Sequence, residues 1–336
     1  MKKKIISILF FILIVSNSNF CNSEIIFQDD FESGTLLTSA SPAGKWDSTS
    51  NDCNNSQGCA VCDSPATPRI TSTYKHSGSY AAEYHYKLIK YDGTNCTALH
   101  RDQNEYLKKT FSTNYHHVFM RFYAMWPANT PYYDGHGDGV SKKWHRLQST
   151  NIYNGNNNGY ETFISTVLVN TSQGVPPNGW KVMPTYNSFT QAGGMICPGS
   201  CPLNGGGCSS GNITTLELWS EADRLIDGNW HCWELEVWDK TGNTSDEVRI
   251  WLDGTLLYEC TTWDLKGNSP DYGYSIFTLG QQVDRPNGGA YEEWRYIDDV
   301  VISTERIGPI STTDYPPGPP AIPSNLRIVT TSTTVP

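Results

Sequence analysis

One compact basic cluster lies beside aromatics in this chain. It is "SKKWHRLQST", residues 141–150, which holds Lys143, His145 and Arg146. Tyr160 follows in "NNNGYETFISTV". On a strand, Lys143, His145 and Leu147 share one face, and Trp144, Arg146 and Gln148 share the other. These residue types fit removal of a proton next to a carboxylate. Arg146 or Gln148 would neutralise the acid, His145 or Tyr160 would act as base, and a second tyrosine would protonate the leaving oxygen. β-Elimination on a uronate polysaccharide is one reaction class that such a set can serve. The plainer reading is a solvated polar face, with His145 filling a cross-strand position.

A second candidate is the strand from Trp230 to Asp239, "WHCWELEVWD". Glu234 and Glu236 fall on one face, about 7 Å apart along the strand. Paired carboxylates about 5–5.5 Å or 6.5–9.5 Å apart across a sugar are the arrangement of retaining and inverting glycoside hydrolases. The plainer reading is a wet sheet face. For either chemistry, Trp126, Trp219 and Trp238 are the rings expected to stack on sugar faces, while Trp233 and Trp251 are expected in the core.

The elements that must position these residues read as strands. "GSYAAEYHYKLI", "HHVFMRFYAMW", "YETFISTVLV", "WHCWELEVWDK", "DEVRIWLDGTLLYE", "YSIFTLGQQV" and "WRYIDDVVIS" mix β-branched and aromatic residues with polar ones. Turns such as "YDGTN" and "LIDGN" separate them. No stretch holds a helical period. Many short strands without alternating helices predict an all-β, two-sheet sandwich. Long Gly/Asn/Pro insertions are placed to rim a groove.

The chain opens with Lys2, Lys3 and Lys4, then an apolar run from Ile5 to Val15, too short to span a membrane. Residues 1–23 read as a signal peptide and imply a secreted or cell-surface protein; anchoring as a lipoprotein through Cys21 is the weaker reading. Losing three lysines and no acids takes the formal charge from -10 to -13. An acidic surface argues against nucleic acid as a partner. No other stretch reads as a transmembrane segment. Nine of the ten cysteines remain after cleavage. Export predicts disulfide bonds, with one cysteine left over; a Cys232–Cys260 bridge, or one from each to a loop, fits the strand order. From residue 311 onward the composition turns to Pro, Ser and Thr, and "PPAIPSNLRIV" resembles the start of a fibronectin type III domain.

The two ends of the region 24–310 are related. "IIFQDDFESG" opens it and "WRYIDDVVIST" closes it, with "VRIWLDG" between. Together these motifs resemble the concanavalin A-like jelly rolls, and among them secreted bacterial polysaccharide-lyase-like domains. The resemblance implies a two-sheet jelly-roll sandwich of the lectin/glucanase type that acts on or binds a polysaccharide. Alternation sends Asp298 and Asp299 to opposite faces unless a bulge intervenes, and a buried carboxylate needs a partner. The resemblance implies structural Ca2+ where the first and last strands meet, held by Asp298 or Asp299 with Asp30 or Glu32. Hydrogen bonds to loop amides are the alternative. The function read from the sequence is a uronate lyase, with a non-catalytic glycan-binding module and a hydrolase as alternatives.

Overall fold

A computed structural model of the chain describes residues 24–53, 68–88, 102–128, 141–148, 163–170, 180–187, 227–240, 246–263, 273–280, 282–284 and 291–310. The strands are β1 (Ile25–Asp29), β2 (Ser48–Cys53), β3 (Arg69–Thr71), β4 (Ala81–Leu88), β5 (Asp102–Tyr115), β6 (His117–Met125), β7 (Ser141–Gln148) and β8 (Phe163–Asn170). They continue with β9 (Trp180–Asn187), β10 (His231–Trp238), β11 (Asp246–Leu252), β12 (Thr255–Trp263), β13 (Tyr274–Leu279), β14 (Gln282–Asp284) and β15 (Tyr291–Ser303). The signal peptide and the C-terminal tail read from the sequence lie outside the described residues.

The strands form two antiparallel sheets. The eight-stranded sheet runs β12-β11-β10-β6-β15-β4-β3, with β1 also on β15. The seven-stranded sheet contains β2, β5, β13, β14, β7, β8 and β9. Here β13 and β14 lie in line between β5 and β7, both pairing with each neighbour. Gly280 follows β13, with φ +74 and no room for a Cβ, because Tyr84 would lie 2.1 Å from it. The Tyr84 hydroxyl donates to the Leu279 carbonyl at 2.9 Å. A missing side chain here lets one sheet's tyrosine seat against the other sheet's backbone.

Alternating positions fill the space between the sheets. Met120, Phe122, Trp233, Leu235, Val237, Val248 and Ile250 come from one sheet, and Leu107, Phe277 and Leu279 from the other. Full burial of such aliphatic and Phe side chains is worth about 1.5–3 kcal/mol each. Trp233 is a core residue as expected; Trp251 is also buried but outside that cluster, with the Arg306 guanidinium 4.5 Å from its ring centre.

The last strand explains its own acidic pair. β15 pairs with β4 over Tyr291–Ile297 and with β1 over Val300–Ser303. On its other side, against β6, the register slips between Asp298 and Val301. Asp299 has φ +49, the left-handed conformation of a β-bulge. The bulge resets the alternation: Ile297, Val300 and Ile302 all reach the core. Asp298 and Asp299 sit where the strand changes partner.

The bulge brings both aspartates to one loop. Asp298 Oδ2 accepts the amides of His76 (2.9 Å) and Ser77 (3.1 Å), and its Oδ1 accepts the amide of Asp299 (2.8 Å). Asp299 bonds His76 Nδ1 at 2.6 Å and accepts from Ser77 Oγ at 2.9 Å. Glu32 Oε1 accepts the amides of Ser79 (2.7 Å) and Tyr80 (2.9 Å), and Asp30 Oδ1 that of Glu32 (3.3 Å). The expected calcium site is therefore corrected. Among the described residues no group of His, Cys, Asp or Glu is arranged to hold a metal ion, and the four proposed ligands serve as acceptors for loop donors.

The disulfide expectation is corrected as well. Cys232 is reduced and buried, so it bridges neither Cys260 nor a loop. Burial pushes its thiol up to about 12, with Tyr123 as hydrogen-bond neighbour. No disulfide occurs among the described residues.

Candidate functional site

The site is built from the register of the seven-stranded sheet. In β13, Phe277 and Leu279 belong to the core. Leu279 stands opposite Leu107 of β5 and His145 of β7; Phe277 stands opposite Lys109 and Leu147. Directly opposed residues share a face, so positions 145 and 147 fall on the core side. Thr278 stands opposite Lys108 and Arg146, and Ile276 opposite Thr110 and Gln148. Those positions fall on the outer side.

One row of pairings crosses six strands. Ser48, Lys108, Thr278, Arg146, Ser165 and Thr185 are successive partners. The next row holds Thr110, Ile276, Gln148, Phe163 and Asn187. Two cationic residue types therefore flank Thr278. Neighbouring strands lie about 4.8 Å apart, so Lys108 and Arg146 are about 10 Å apart along the row. Tyr106, two residues before Lys108, shares its face, and both are half-buried. The register sets a cationic residue type on the strand to each side of Thr278, which is itself 3 % exposed.

The register thus separates His145 from Arg146 and Gln148. Tyr160 and Trp219 lie outside the described residues. Lys108 and Tyr106 were missed in the sequence reading. The signal for them is "NEYLKKT", in which Glu105 and Leu107 alternate with Tyr106 and Lys108; Glu105 and Leu107 are fully buried.

The other candidates lie on the eight-stranded sheet and are consumed by the fold. Glu234 is 2 % exposed. Its carboxylate accepts the amides of Ile307 (2.7 Å) and Gly308 (3.2 Å), and Arg306 lies at 3.4 Å. Glu236, 4 % exposed, bonds His117 Nε2 at 2.8 Å and Arg249 at 2.9 Å. Burial opposes ionisation of Glu236, yet these partners hold its carboxyl below the usual range. Arg249 also pairs with Glu247 and Glu259. The glutamate pair expected to face a cleft is instead tied into ion pairs and a C-terminal strap, which removes the hydrolase arrangement.

Trp126 is 1 % exposed, and its indole N–H donates to Glu293 at 2.8 Å. It is a core residue rather than a sugar platform. Trp238, the last residue of β10 in the eight-stranded sheet, is 37 % exposed, stacked on His117 at 4.5 Å with Lys240 Nζ 4.4 Å from its ring centre.

No protein-family model and no curated protein matches the chain. Solved structures do match. The endo-β-1,4-glucuronan lyase of the fungus Trichoderma reesei aligns with a TM-score of 0.51 at 14 % identity, over 84 % of this chain and 96 % of its own. The fold is an all-β, two-sheet jelly-roll sandwich. An alginate lyase from Chlorella virus aligns over 83 % of this chain and 99 % of its own, at 13 % identity and TM-score 0.45. An endo-1,3-β-glucanase from Streptomyces sioyaensis covers 84 % of this chain and 96 % of its own, at 14 % identity and TM-score 0.43. At such identities the likeness is one of fold, and jelly rolls carry many activities. No described helix is long and apolar enough to cross a membrane.

Proposed function

We propose that this jelly roll is a secreted polysaccharide-active protein that cleaves a uronate polysaccharide by β-elimination on the outer side of its seven-stranded sheet. The observation that carries the reading is the row Lys108–Thr278–Arg146, with Gln148 one row away. It supplies local positive charge on a chain of net charge -10. The likeness of fold to a glucuronan lyase supports the same substrate class.

In this reading Arg146 and Gln148 bind the uronate carboxylate and stabilise the charge that develops when the C5 proton leaves. The electrons of the C5–H bond form the C4–C5 double bond, and the C4–O bond breaks. Since position 145 falls on the core side, proton transfer is assigned to tyrosines: Tyr160 as base, and Tyr106 as the acid that protonates the leaving oxygen. Lys108 holds a neighbouring carboxylate. Residues 1–23 direct export, and the partner is the polysaccharide.

The test is ultraviolet absorbance of the unsaturated uronate end during incubation with glucuronan, alginate and pectate. Arg146→Ala is expected to lower kcat about 10²–10³-fold, the effect of losing one preorganised charge-stabilising group. Lys108→Ala should raise KM more than it lowers kcat. Retained binding with no absorbance rise on any uronan would make the protein a binding module. Full activity of Arg146→Ala would remove the assignment.

A further inference from the structure

We infer that a second saccharide-binding pocket lies on the outer side of the eight-stranded sheet, where β1, β15 and β6 meet, and takes one pyranose unit through its hydroxyls. The cavity is about 190 Å³, or about six water volumes, which suits one sugar ring rather than a chain. Val300 and Val301 line it with Gln28, Asp29, Asp30, Lys45, Arg121 and Asp299. It is separate from the row proposed for elimination, which belongs to the other sheet.

Arg121 carries the argument. Arg69, Arg249, Arg295 and Arg306 each have a glutamate within ion-pair distance. Arg121, 6 % exposed, has no such carboxylate among the described residues. Its guanidinium makes two long contacts to carbonyls, Gly308 at 3.5 Å and Asp299 at 3.3 Å. Its Nε has no hydrogen-bond partner. A buried guanidinium so poorly supplied with acceptors favours a ligand that brings oxygen.

The other lining groups decide which ligand. A metal ion would face Arg121 and Lys45. A free anion would face Asp30 and Asp299. All three acids hold protein donors, Asp30 the fewest: Asp29 accepts Phe31 N–H (3.0 Å) and Trp46 Nε1–H (2.7 Å), Asp299 holds His76 and Ser77, and Asp30 accepts the Glu32 amide (3.3 Å) through Oδ1. A hydroxyl both donates and accepts. A sugar with adjacent hydroxyls therefore satisfies Arg121 and Lys45 as donors while giving protons to Asp30 and Gln28. The pocket wall is rigid, because the bulge that bears Asp299 is tied to the loop at residues 76 and 77.

The choice of probe rests on the uronan reading, and the experiment separates the two. Methyl resonances of Val301 are followed in the full mature chain titrated with β-1,4-linked tetraglucuronate and with cellotetraose, its neutral counterpart. Both are expected to shift them with similar affinity, because the hydroxyls and not the carboxylate are recognised. Lys45→Ala should weaken each about tenfold, the loss of one hydrogen bond from a charged group; Lys45→Met checks that the packing of the stem is not the cause. Arg146→Ala should leave these shifts unchanged. The inference is overturned if neither sugar moves the methyls, if only the uronate does, if sodium sulfate or calcium chloride alone does, or if Lys45→Ala has no effect. Should no uronan yield unsaturated ends, the neutral sugar still reads the pocket.

Discussion

Asp298→Ala tests how the bulge is held. The native carboxyl is fully buried and accepts three backbone amides, those of His76, Ser77 and Asp299. Alanine leaves three donors without that acceptor. Each unsatisfied buried donor costs about 1–3 kcal/mol. Water entering the vacated space returns part of this, so the expected loss is about 3–5 kcal/mol, a large share of a domain's net stability of about 5–15 kcal/mol. Urea unfolding of the mature protein measures it. Hydrogen exchange should quicken first at His76, Ser77 and Asp299, whose amides lose their acceptor. Burial, with Asp299 beside it, pushes the Asp298 carboxyl up to about 8. The sign follows: the folded chain keeps a proton that the unfolded chain releases, so this group's contribution to stability falls as pH rises from about 4 towards 8. Asp298→Ala should flatten that limb. A loss under about 1 kcal/mol, against the cost of one unsatisfied donor, would refute the reasoning. So would a native midpoint that rises with calcium through Asp298.

Three further outcomes are expected. Arg295→Met should destabilise by about 3–5 kcal/mol, because it strands the carboxylate of Glu293, 2.5 Å from Arg295 Nε in the core; the double variant with Glu293→Gln should recover much of the loss in urea melts. Burial works against charge on His231, yet Asp253 (2.8 Å) and Asp227 (3.3 Å) hold its pKa above the usual histidine value. Its stabilisation is complete below the unfolded value and fades as pH rises through the folded one, and His231→Gln should remove that limb from thermal midpoints measured between pH 5 and 9, the range about the histidine value. Cys232 should resist a thiol reagent in the native protein and react on unfolding, since burial keeps the thiol protonated; fast native labelling would contradict its placement.

The fold was legible because strand alternation and the related acidic ends are local signals. β10 shows it plainly: Trp233, Leu235 and Val237 point to the core, as their spacing implied. The bulge was legible only as a condition. A two-residue period passes through Asp298 and Asp299 without warning, and the left-handed φ of Asp299 arises where β15 leaves β4 for β1. The fate of the acids was illegible for the same reason. Their partners are amides at residues 76, 77, 79, 80, 307 and 308, and an amide is present at every residue except proline. Trp126 was misjudged because its buried acceptor, Glu293, lies 167 residues away in sequence. Lys108 escaped notice because one lysine in a strand carries no chemistry until the sheet sets Arg146 two strands from it.

The same contacts explain why the two sheets divide their work. On the eight-stranded sheet the carboxylates of Glu234, Glu236 and Asp298 are spent internally. Glu234 caps the strap at Ile307 and Gly308, Glu236 and Arg249 anchor an ion-pair network, and Asp298 holds a loop. Such groups are fixed by partners they cannot release without loss of stability, so substrate cannot recruit them. The outer side of the seven-stranded sheet differs in kind. Its row of Ser48, Lys108, Thr278, Arg146, Ser165 and Thr185 alternates small hydroxyls with cations and includes no acid. On a chain this acidic, a six-strand row without a carboxylate is where an anionic polymer meets least repulsion. A charge reversal should therefore be more damaging than a truncation: Lys108→Glu should weaken uronan binding well beyond Lys108→Ala, and the gap between the two variants should shrink as salt is raised. Equal effects at all salt concentrations would mean that the polymer binds elsewhere.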